Sequence, residues 1–355
     1  MTARALPPRA SAVVRHDAAA LGDPAGQVEP TPTHPGAQAD SASWPGTAPR
    51  AESAARVAAA ALDAGLSGPI AARLASFARP DAPPATARAL VACDLDRTLV
   101  YSAAALGLVG EDRHAPELVV AEVFHGEPLS FQTRAAQDML AVLADVAILV
   151  PTTTRTRSQY ARIRIPGRPH EYAVTTNGGH LLVDGVPCPD WAARVAAELA
   201  GVAPLAEVHA HLGAVADQPW LRKLRVADDM FVYLVVERGQ VPDGYVADLE
   251  AWCLARGWTV SVQGRKVYCV PVALTKSAAV AEIARRTGAG DVLAAGDSLL
   301  DAELLASAVR GVRPAHGELH ETGWRAPQVA VTSASGVLGG EEIVARLLGD
   351  VLSGT

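Results

Sequence analysis

From residue 87 onward, three short apolar runs each end in polar residues: ARALVACDLD over 87–96, VAILVPTTT over 146–154 and DVLAAGDSLLD over 291–301. A continuous apolar run that turns polar only at its end is the pattern of a parallel strand buried on both faces. Helical patterns precede the second and third runs, TRAAQDMLAVLAD over 133–145 and SAAVAEIARRTG over 277–288. Strands alternating with helices predict an α/β fold, a Rossmann-like doubly wound parallel sheet. Ligands of such sheets bind at the carboxyl ends of the strands.

Residues 159–270 interrupt that alternation. YAVTTNGGHLLVDG (172–185) predicts a hairpin and DWAARVAAELAG (190–201) a helix. Strands LRKLRVAD (221–228) and MFVYLVVE (230–237), a helix in 243–257 and a second hairpin, WTVSVQGRKVYCVPV (258–272), complete the interruption. The expected organisation is an α+β cap at 159–270 inserted between two parts of a core, 86–158 and 271–355. Ahead of the core, 51–85 predicts one or two Ala-rich helices broken at Gly65 and Gly68, then a linker holding Pro80, Pro83 and Pro84. Residues 1–50 contain eight prolines among Ala, Gly, Ser and Thr with little apolar periodicity. Such a segment buries too little to offset its chain entropy, and a disordered tail is expected.

Composition narrows the function. Half of the 355 residues are hydrophobic and 19 % are charged, a globular balance. The net charge of −7 argues against a nucleic-acid partner, because no basic excess exists to neutralise a phosphate backbone. The four cysteines, Cys93, Cys188, Cys253 and Cys269, form no C-x-x-C pair, so neither a zinc site nor a disulfide framework is signalled. No apolar run reaches the ~18 residues of a membrane helix. With no secretory signal evident at the N-terminus, a cytoplasmic location is the default expectation.

Candidate chemistry sits where the apolar runs end. Asp94 and Asp96 are two apart at the end of an extended run, so they face one side and can converge on a single site. Two close carboxylates repel unless a cation intervenes. With a metal beside Asp94, Asp96 is placed to exchange a proton. Thr152, Thr153 and Thr154 end the second run, where hydroxyls suit either phosphate oxygens or a helix N-cap. Lys276 stands at a helix start, against the helix dipole, so it is either solvent-exposed or compensated by a carboxylate or phosphate. Asp297 and Asp301 are one helical turn apart; hard oxygen ligands of this kind suit Mg²⁺, and Asp301 also suits the positive end of a helix.

In this order, D-x-D-x-T at Asp94–Thr98, a strand-end Thr153, Lys276 and G-D-x-x-x-D at Gly296–Asp301, the chain resembles the haloacid dehalogenase superfamily of phosphohydrolases. The resemblance spans roughly 88–345. The insert falls where the α/β-capped subgroup carries its cap, and Thr153-Thr154-Arg155 and Thr175–Gly179 look like that subgroup's T-G-R and N-G-G signatures. Sucrose-phosphate, mannosyl-phosphoglycerate and other sugar-phosphate phosphatases belong to that subgroup, as do phosphomannomutases. Thr154 stands where the subgroup usually has Gly, and Leu300 where it often has Asn.

The resemblance implies a Mg²⁺-dependent phosphatase of a small phosphate ester. Asp94 would be the nucleophile forming an aspartyl-phosphate and Asp96 the acid and base. Thr153 and Lys276 would bind the phosphoryl oxygens. Asp94, the Asp96 carbonyl, Asp297 and Asp301 would hold the metal. Thr154, Arg155, Asn177 and Gly178 would contact substrate. A phosphomutase or phosphotransferase would use the same Asp94, and a receiver-like regulatory module uses the same residue types in another order without the insert. Arg222, Lys223 and Arg225 are expected on a solvated strand face, with contact to a polar or anionic substrate as the alternative. His209 and His211 are expected on a helix as surface or core residues, and His125 in a loop. Trp220 and Trp252 are expected in core or interface. The pattern sets no oligomeric state.

Overall fold

The computed structural model describes residues 53–77, 88–166 and 170–354, and all of these fall in one compact unit. The proline-rich segment 1–50 and the linker prolines Pro80, Pro83 and Pro84 lie outside the described residues.

Two helices come first, α1 (Ser53–Asp63) and α2 (Gly68–Phe77). Then follow β1 (Leu90–Asp94), β2 (Tyr101–Ser102), β3 (Leu118–Phe124), β4 (Glu127–Thr133), α3 (Arg134–Val146), β5 (Ile148–Thr152) and α4 (Arg157–Tyr160). After these come β6 (Tyr172–Thr175), β7 (His180–Val183) and β8 (Val186–Pro187). The inserted unit contains α5 (Pro189–Leu199), α6 (Leu205–Gly213), β9 (Leu221–Ala227), β10 (Phe231–Val236), α7 (Tyr245–Leu254), β11 (Trp258–Gln263) and β12 (Lys266–Pro271). The chain closes with α8 (Lys276–Thr287), β13 (Val292–Ala295), α9 (Ala302–Ser307), β14 (Arg310–Arg313), α10 (Glu318–Glu321), β15 (Val329–Val331) and α11 (Gly336–Ser353).

The main sheet runs β15-β14-β13-β1-β5-β6-β7-β8. It is parallel from β15 to β6, and β7 and β8 extend it antiparallel. Strand β1 is buried along its whole length. Leu90 and Ala92 pack with Val280, Ile283, Leu304 and Leu305 of α8 and α9 on one face. Val91 and Cys93 pack with Leu140, Leu143, Val344 and Leu347 of α3 and α11 on the other, where α1 and α2 add Val57 and Leu74. Both faces are covered, as the continuous apolar runs require. Sheet order reverses beside β1, with β5 on one side and β13 on the other, which is the switch point where ligands collect.

The inserted unit is a second, antiparallel sheet of order β11-β12-β10-β9. One face buries Val232, Leu234, Val260 and Cys269 with Val208, Leu212, Leu249 and Cys253 of α6 and α7. The hairpin of β6 and β7, assigned by its sequence to the cap, pairs through Val174 with Thr152 and continues the main sheet. A hairpin's local pattern specifies how its two strands meet each other and leaves the third partner open.

A third sheet, β2-β4-β3, stands between β1 and α3 in the chain, in a segment where no strand was expected. Its signal was present in LVVAEVF-HG-EPLSFQT, two runs around a turn in which His125 takes a φ of 51°.

Helix α11 touches the loop after β1 through Gly340. A Cβ there would lie 2.6 Å from Tyr101 Cε2 and 2.8 Å from the Thr98 carbonyl oxygen. Gly→Ala in an open helix gains up to about 1 kcal/mol. Overpacking against backbone costs about 1–3 kcal/mol, so Gly340→Ala is expected to lower the urea midpoint. A raised midpoint would show that α11 does not sit against this loop.

Candidate active site

Asp94 closes β1 and pairs in register with Thr152 of β5. The Thr98 hydroxyl donates to Asp94 Oδ2 at 3.2 Å. Between them the chain turns sharply: Arg97 has a left-handed φ of 62°, and its N–H donates to the Val100 carbonyl at 2.8 Å. The Arg97 carbonyl accepts from the Tyr101 hydroxyl at 2.9 Å and from His316 Nε2 at 2.8 Å. His316 Nδ1 in turn accepts from the Gly336 N–H at 3.1 Å. Burial lowers the His316 pKa to about 4. It is therefore a neutral imidazole with a defined tautomer, and it holds the loop after Asp94 from the far side.

Lys276 is the first residue of α8 and is 1 % exposed. Its Nζ donates to Asp94 Oδ1 at 2.6 Å and to Asp301 Oδ1 at 2.6 Å. These carboxylates are the compensation that a cation at a helix start needs. Burial alone would depress the lysine, but Asp301 and Asp94 more than offset it and raise its pKa. Asp301 Oδ2 accepts from the Ser298 N–H at 3.0 Å and the Ser298 hydroxyl at 2.7 Å. Ser298 thus anchors Asp301.

Ligand oxygens of Asp94, Asp297 and Asp301 all lie within 4.8 Å of one another, and all three residues are buried. Burial and the neighbouring carboxylates, against the pull of Lys276, push the Asp94 carboxyl up to about 7. Burial, then Asp94 and Asp301, drive Asp297 well above the usual carboxylate range, although Arg97 Nε is 3.5 Å away. Three buried acids facing one ammonium and one guanidinium are short of positive charge. Hard, closely spaced carboxylate oxygens fit a Mg²⁺-sized cation.

Asp96 is held apart from this cluster. Arg155 grips it with both arms of its guanidinium, Nε to Oδ2 at 2.7 Å and Nη2 to Oδ1 at 2.8 Å. Burial opposes ionisation of Asp96, but the Arg155 charge and hydrogen bonds outweigh it and hold the carboxyl at about 2. Arg155 Nη1 also donates to Glu122 at 2.8 Å, and Glu122 accepts from Arg162 at 3.0 Å and Ser130 at 3.0 Å. Glu122 is fully buried on β3 and fixes the arginine from behind.

Thr153 follows β5. Its N–H donates to the Val174 carbonyl at 2.9 Å, and its hydroxyl accepts from the Arg155 N–H at 3.1 Å. Thr154 is 6 % exposed. Asn177 and Gly178 lie in the turn between β6 and β7, against the loop that carries Lys276. Asn177 Nδ2 donates to the Leu274 carbonyl at 2.7 Å, and a Cβ on Gly178 would lie 2.2 Å from the Thr275 carbonyl oxygen. In the structure this pair buttresses the lysine loop.

Other residues are gathered only by the tertiary structure. Glu318 of α10 ties core to cap: it accepts from the Ser261 hydroxyl at 2.6 Å, the Val262 N–H at 2.6 Å and the Leu299 N–H at 2.9 Å. Asp228, in the β9–β10 turn, makes a second tie by accepting from the Thr176 hydroxyl at 2.7 Å and the Arg157 N–H at 3.1 Å. Neither acid has a local signature. Arg222 is exposed and faces Glu237 at 3.5 Å, as a solvated strand residue does. Lys223 and Arg225 are half-buried on the opposite face. His209 and His211 lie on α6, and His211 stacks on Trp252 at 3.7 Å. Trp220 is buried.

No family model matches the chain, and no curated protein matches it. Among solved structures it is similar to the sucrose-phosphatase of Synechocystis sp., solved with sucrose and phosphate. The TM-score is 0.50 at 18 % identity over 75 % of this chain and 99 % of that one. A Thermoplasma acidophilum protein gives a TM-score of 0.49 at 12 % identity over 75 % and 98 %. A Bacteroides thetaiotaomicron phosphatase of the haloalkanoate (HAD) superfamily gives 0.44 at 14 % over 75 % and 96 %. The chain thus has the fold of the Synechocystis enzyme, the α/β core with an inserted cap that its motifs resemble.

The raised Asp94 and Asp297 generate a pH-dependent stability. Without metal the folded chain keeps protons that the unfolded chain releases between Asp94's ordinary 3.8 and about 7. Stability is therefore expected to fall as pH rises through that window. Excess Mg²⁺ should raise the Tm most at about pH 8 and least at about pH 6, where protons compete for the carboxylates. Calorimetry with MgCl₂ or EDTA checks this; equal Tm values at the higher pH would mean that no cation binds here.

Proposed function

We propose that this protein is a Mg²⁺-dependent phosphatase that hydrolyses a small phosphorylated metabolite, a sugar phosphate or a similar ester, through an aspartyl-phosphate on Asp94. The observation that carries the reading is the Asp94 carboxylate at the end of the central strand, bonded by Lys276 at 2.6 Å and clustered within 4.8 Å of Asp297 and Asp301. The sucrose-phosphatase likeness in fold is consistent with a sugar phosphate as the substrate class. Residues 189–271 form the cap in this reading, over a core made from the flanking segments.

Asp94, Asp297 and the Asp96 carbonyl would hold the metal, with Asp301 in or beside the set. A bound divalent cation offsets the repulsion between an anionic carboxylate and an anionic phosphate. An Asp94 oxygen attacks phosphorus, the bond to the leaving oxygen breaks, and Asp96 gives that oxygen a proton. Water then attacks the aspartyl-phosphate, Asp96 takes its proton, and phosphate leaves. Lys276 and Thr153 stabilise the charge that builds on the phosphoryl oxygens.

The Arg155 fork bears on the first of these steps. It holds Asp96 as a carboxylate, which suits accepting a proton from water and opposes donating one. An entering phosphoryl group presents the same two-oxygen geometry and competes for the guanidinium. Substrate entry thus frees Asp96 to carry a proton, and Arg155 becomes a substrate contact beside Thr154. Asn177 and Gly178 act by keeping Lys276 in place. A phosphotransferase would share every one of these contacts and differ in passing the group to an alcohol. A cytoplasmic setting belongs to the same reading; the four cysteines are free and buried.

Asp94→Asn is expected to reduce Mg²⁺-dependent phosphate release to background with an unchanged circular dichroism spectrum. Asp96→Asn is expected to lower kcat by about 10²–10⁴-fold. A phosphate-release screen over a panel of phosphorylated metabolites, with MgCl₂ or EDTA, measures both. Full activity of Asp94→Asn removes the nucleophile, and full activity in EDTA removes the metal.

A further inference from the structure

The inner face of the cap sheet carries a cation that the phosphatase reading leaves unused. Strand alternation splits the sheet into two faces. The face opposite the helices carries Tyr233 of β10, Tyr268 and Lys266 of β12, Ser261 of β11, and Lys223 and Arg225 of β9, with Tyr233 directly opposite both Tyr268 and Arg225. Two contacts show that this face is turned to the core. Ser261 bonds Glu318 of α10 at 2.6 Å. The β11–β12 turn brings Gly264 beside Arg97, whose Nη1 would lie 3.7 Å from a Cβ at that position.

Lys266 is a half-buried cation of this face. Its ammonium stands 5.5 Å from the Tyr233 ring centre and 5.8 Å from that of Tyr268. It is within electrostatic reach of Asp96. Asp96, however, already gives both oxygens to Arg155. The other acids of the site each face a cation already: Asp94 and Asp301 with Lys276, Asp297 with Arg97 at 3.5 Å, and Glu122 with Arg155 and Arg162. Among the described residues Lys266 has no ion pair, and it lies over two aromatic faces. A half-buried ammonium with no ion pair, between two rings and beside acids that each already face another cation, is placed to meet the anion of an incoming ligand. Tyr233 and Tyr268 are 7 % and 5 % exposed and line the inside of this face with a flat ring and a hydroxyl each, groups of the kind that meet the C–H faces and hydroxyls of a sugar or polyol.

We propose that Lys266, flanked by Tyr233 and Tyr268, determines specificity by binding a second anionic group, a carboxylate on the alcohol half of the phosphate ester. The substrate class is then a phosphorylated sugar acid or polyol acid rather than a neutral sugar phosphate. The proposal rests on the phosphatase reading for the position of the ester phosphate and adds the chemistry of the leaving group.

Two probes that differ in one group test it: D-glucose 1-phosphate and D-glucuronic acid 1-phosphate, in which a carboxylate replaces the CH₂OH. Binding is measured by calorimetry on full-length Asp94→Asn with Mg²⁺, so that no turnover is needed. The expected result is at least about tenfold tighter binding of the acid. In the Asp94→Asn, Lys266→Met double variant the two Kd values should come together, and in Asp94→Asn, Lys266→Arg the preference should return. Equal binding of the two esters to Asp94→Asn overturns the proposal. An equal loss for both on Lys266→Met also overturns it, because Lys266 would then serve the common phosphate. Phosphate release from p-nitrophenyl phosphate by the wild-type chain is the separate arm. Its absence would count against the phosphatase reading, while the calorimetry would still decide the anion subsite.

Discussion

One buried ammonium organises this protein's centre. Lys276 reaches from the start of α8 and bonds Asp94, at the end of β1, and Asp301, just beyond β13, at 2.6 Å each. A cation 1 % exposed is tolerable only when paired and hydrogen-bonded, and two carboxylates buried so close to each other are tolerable only with a cation between them. The three groups therefore need one another, and each comes from a different segment. Asn177 and Gly178 press on the lysine loop, Ser298 fixes the far oxygen of Asp301, and His316 with Tyr101 holds the turn after Asp94. The charge balance is still short by the buried Asp297, which is the electrostatic reason the site suits a divalent cation.

A second network, physically separate, governs Asp96. Arg155 lies between Asp96 and the fully buried Glu122, so the arginine is oriented from two sides before any ligand enters. Glu122 comes from the small β2-β4-β3 sheet, which gives that sheet a part in the site beyond covering the core. At the cap, Glu318 and Asp228 hold the antiparallel sheet to the core, each by hydrogen bonds to both backbone and side chain. Those ties keep the polar sheet face, with Lys266 and its two tyrosines, turned inward.

Legibility followed the range of the interactions. D-x-D at Asp94–Asp96 and G-D-x-x-x-D at Gly296–Asp301 could be read because a buried strand turning polar at its tip is a pattern within ten residues. Lys276 could be read as a position, but its burial could not, since the acids that permit it lie 182 and 25 residues away. Asn177 and Gly178 were visible as a signature and expected at the substrate. They pack on Leu274 and Thr275, a contact with no local trace. Glu122, Glu318 and Lys266 were passed over because an acid in a short strand or helix and a Lys in a hairpin look like ordinary surface residues. Only LVVAEVF-HG-EPLSFQT offered a missed local clue, two strand-like runs about a turn.

Sequence by itself determined the α/β alternation, the covered central strands, the inserted α+β unit and the residue types at each strand tip, because burial on two faces and strand period are local demands. Tertiary structure alone decided which sheet received the β6–β7 hairpin, which acids met Lys276, that Arg155 closes on Asp96, and that the cap presents its Lys–Tyr face to the core. Those outcomes depend on pairing charges and edges from segments far apart in the chain, and the energy that selects among such pairings exists only once burial has removed the water.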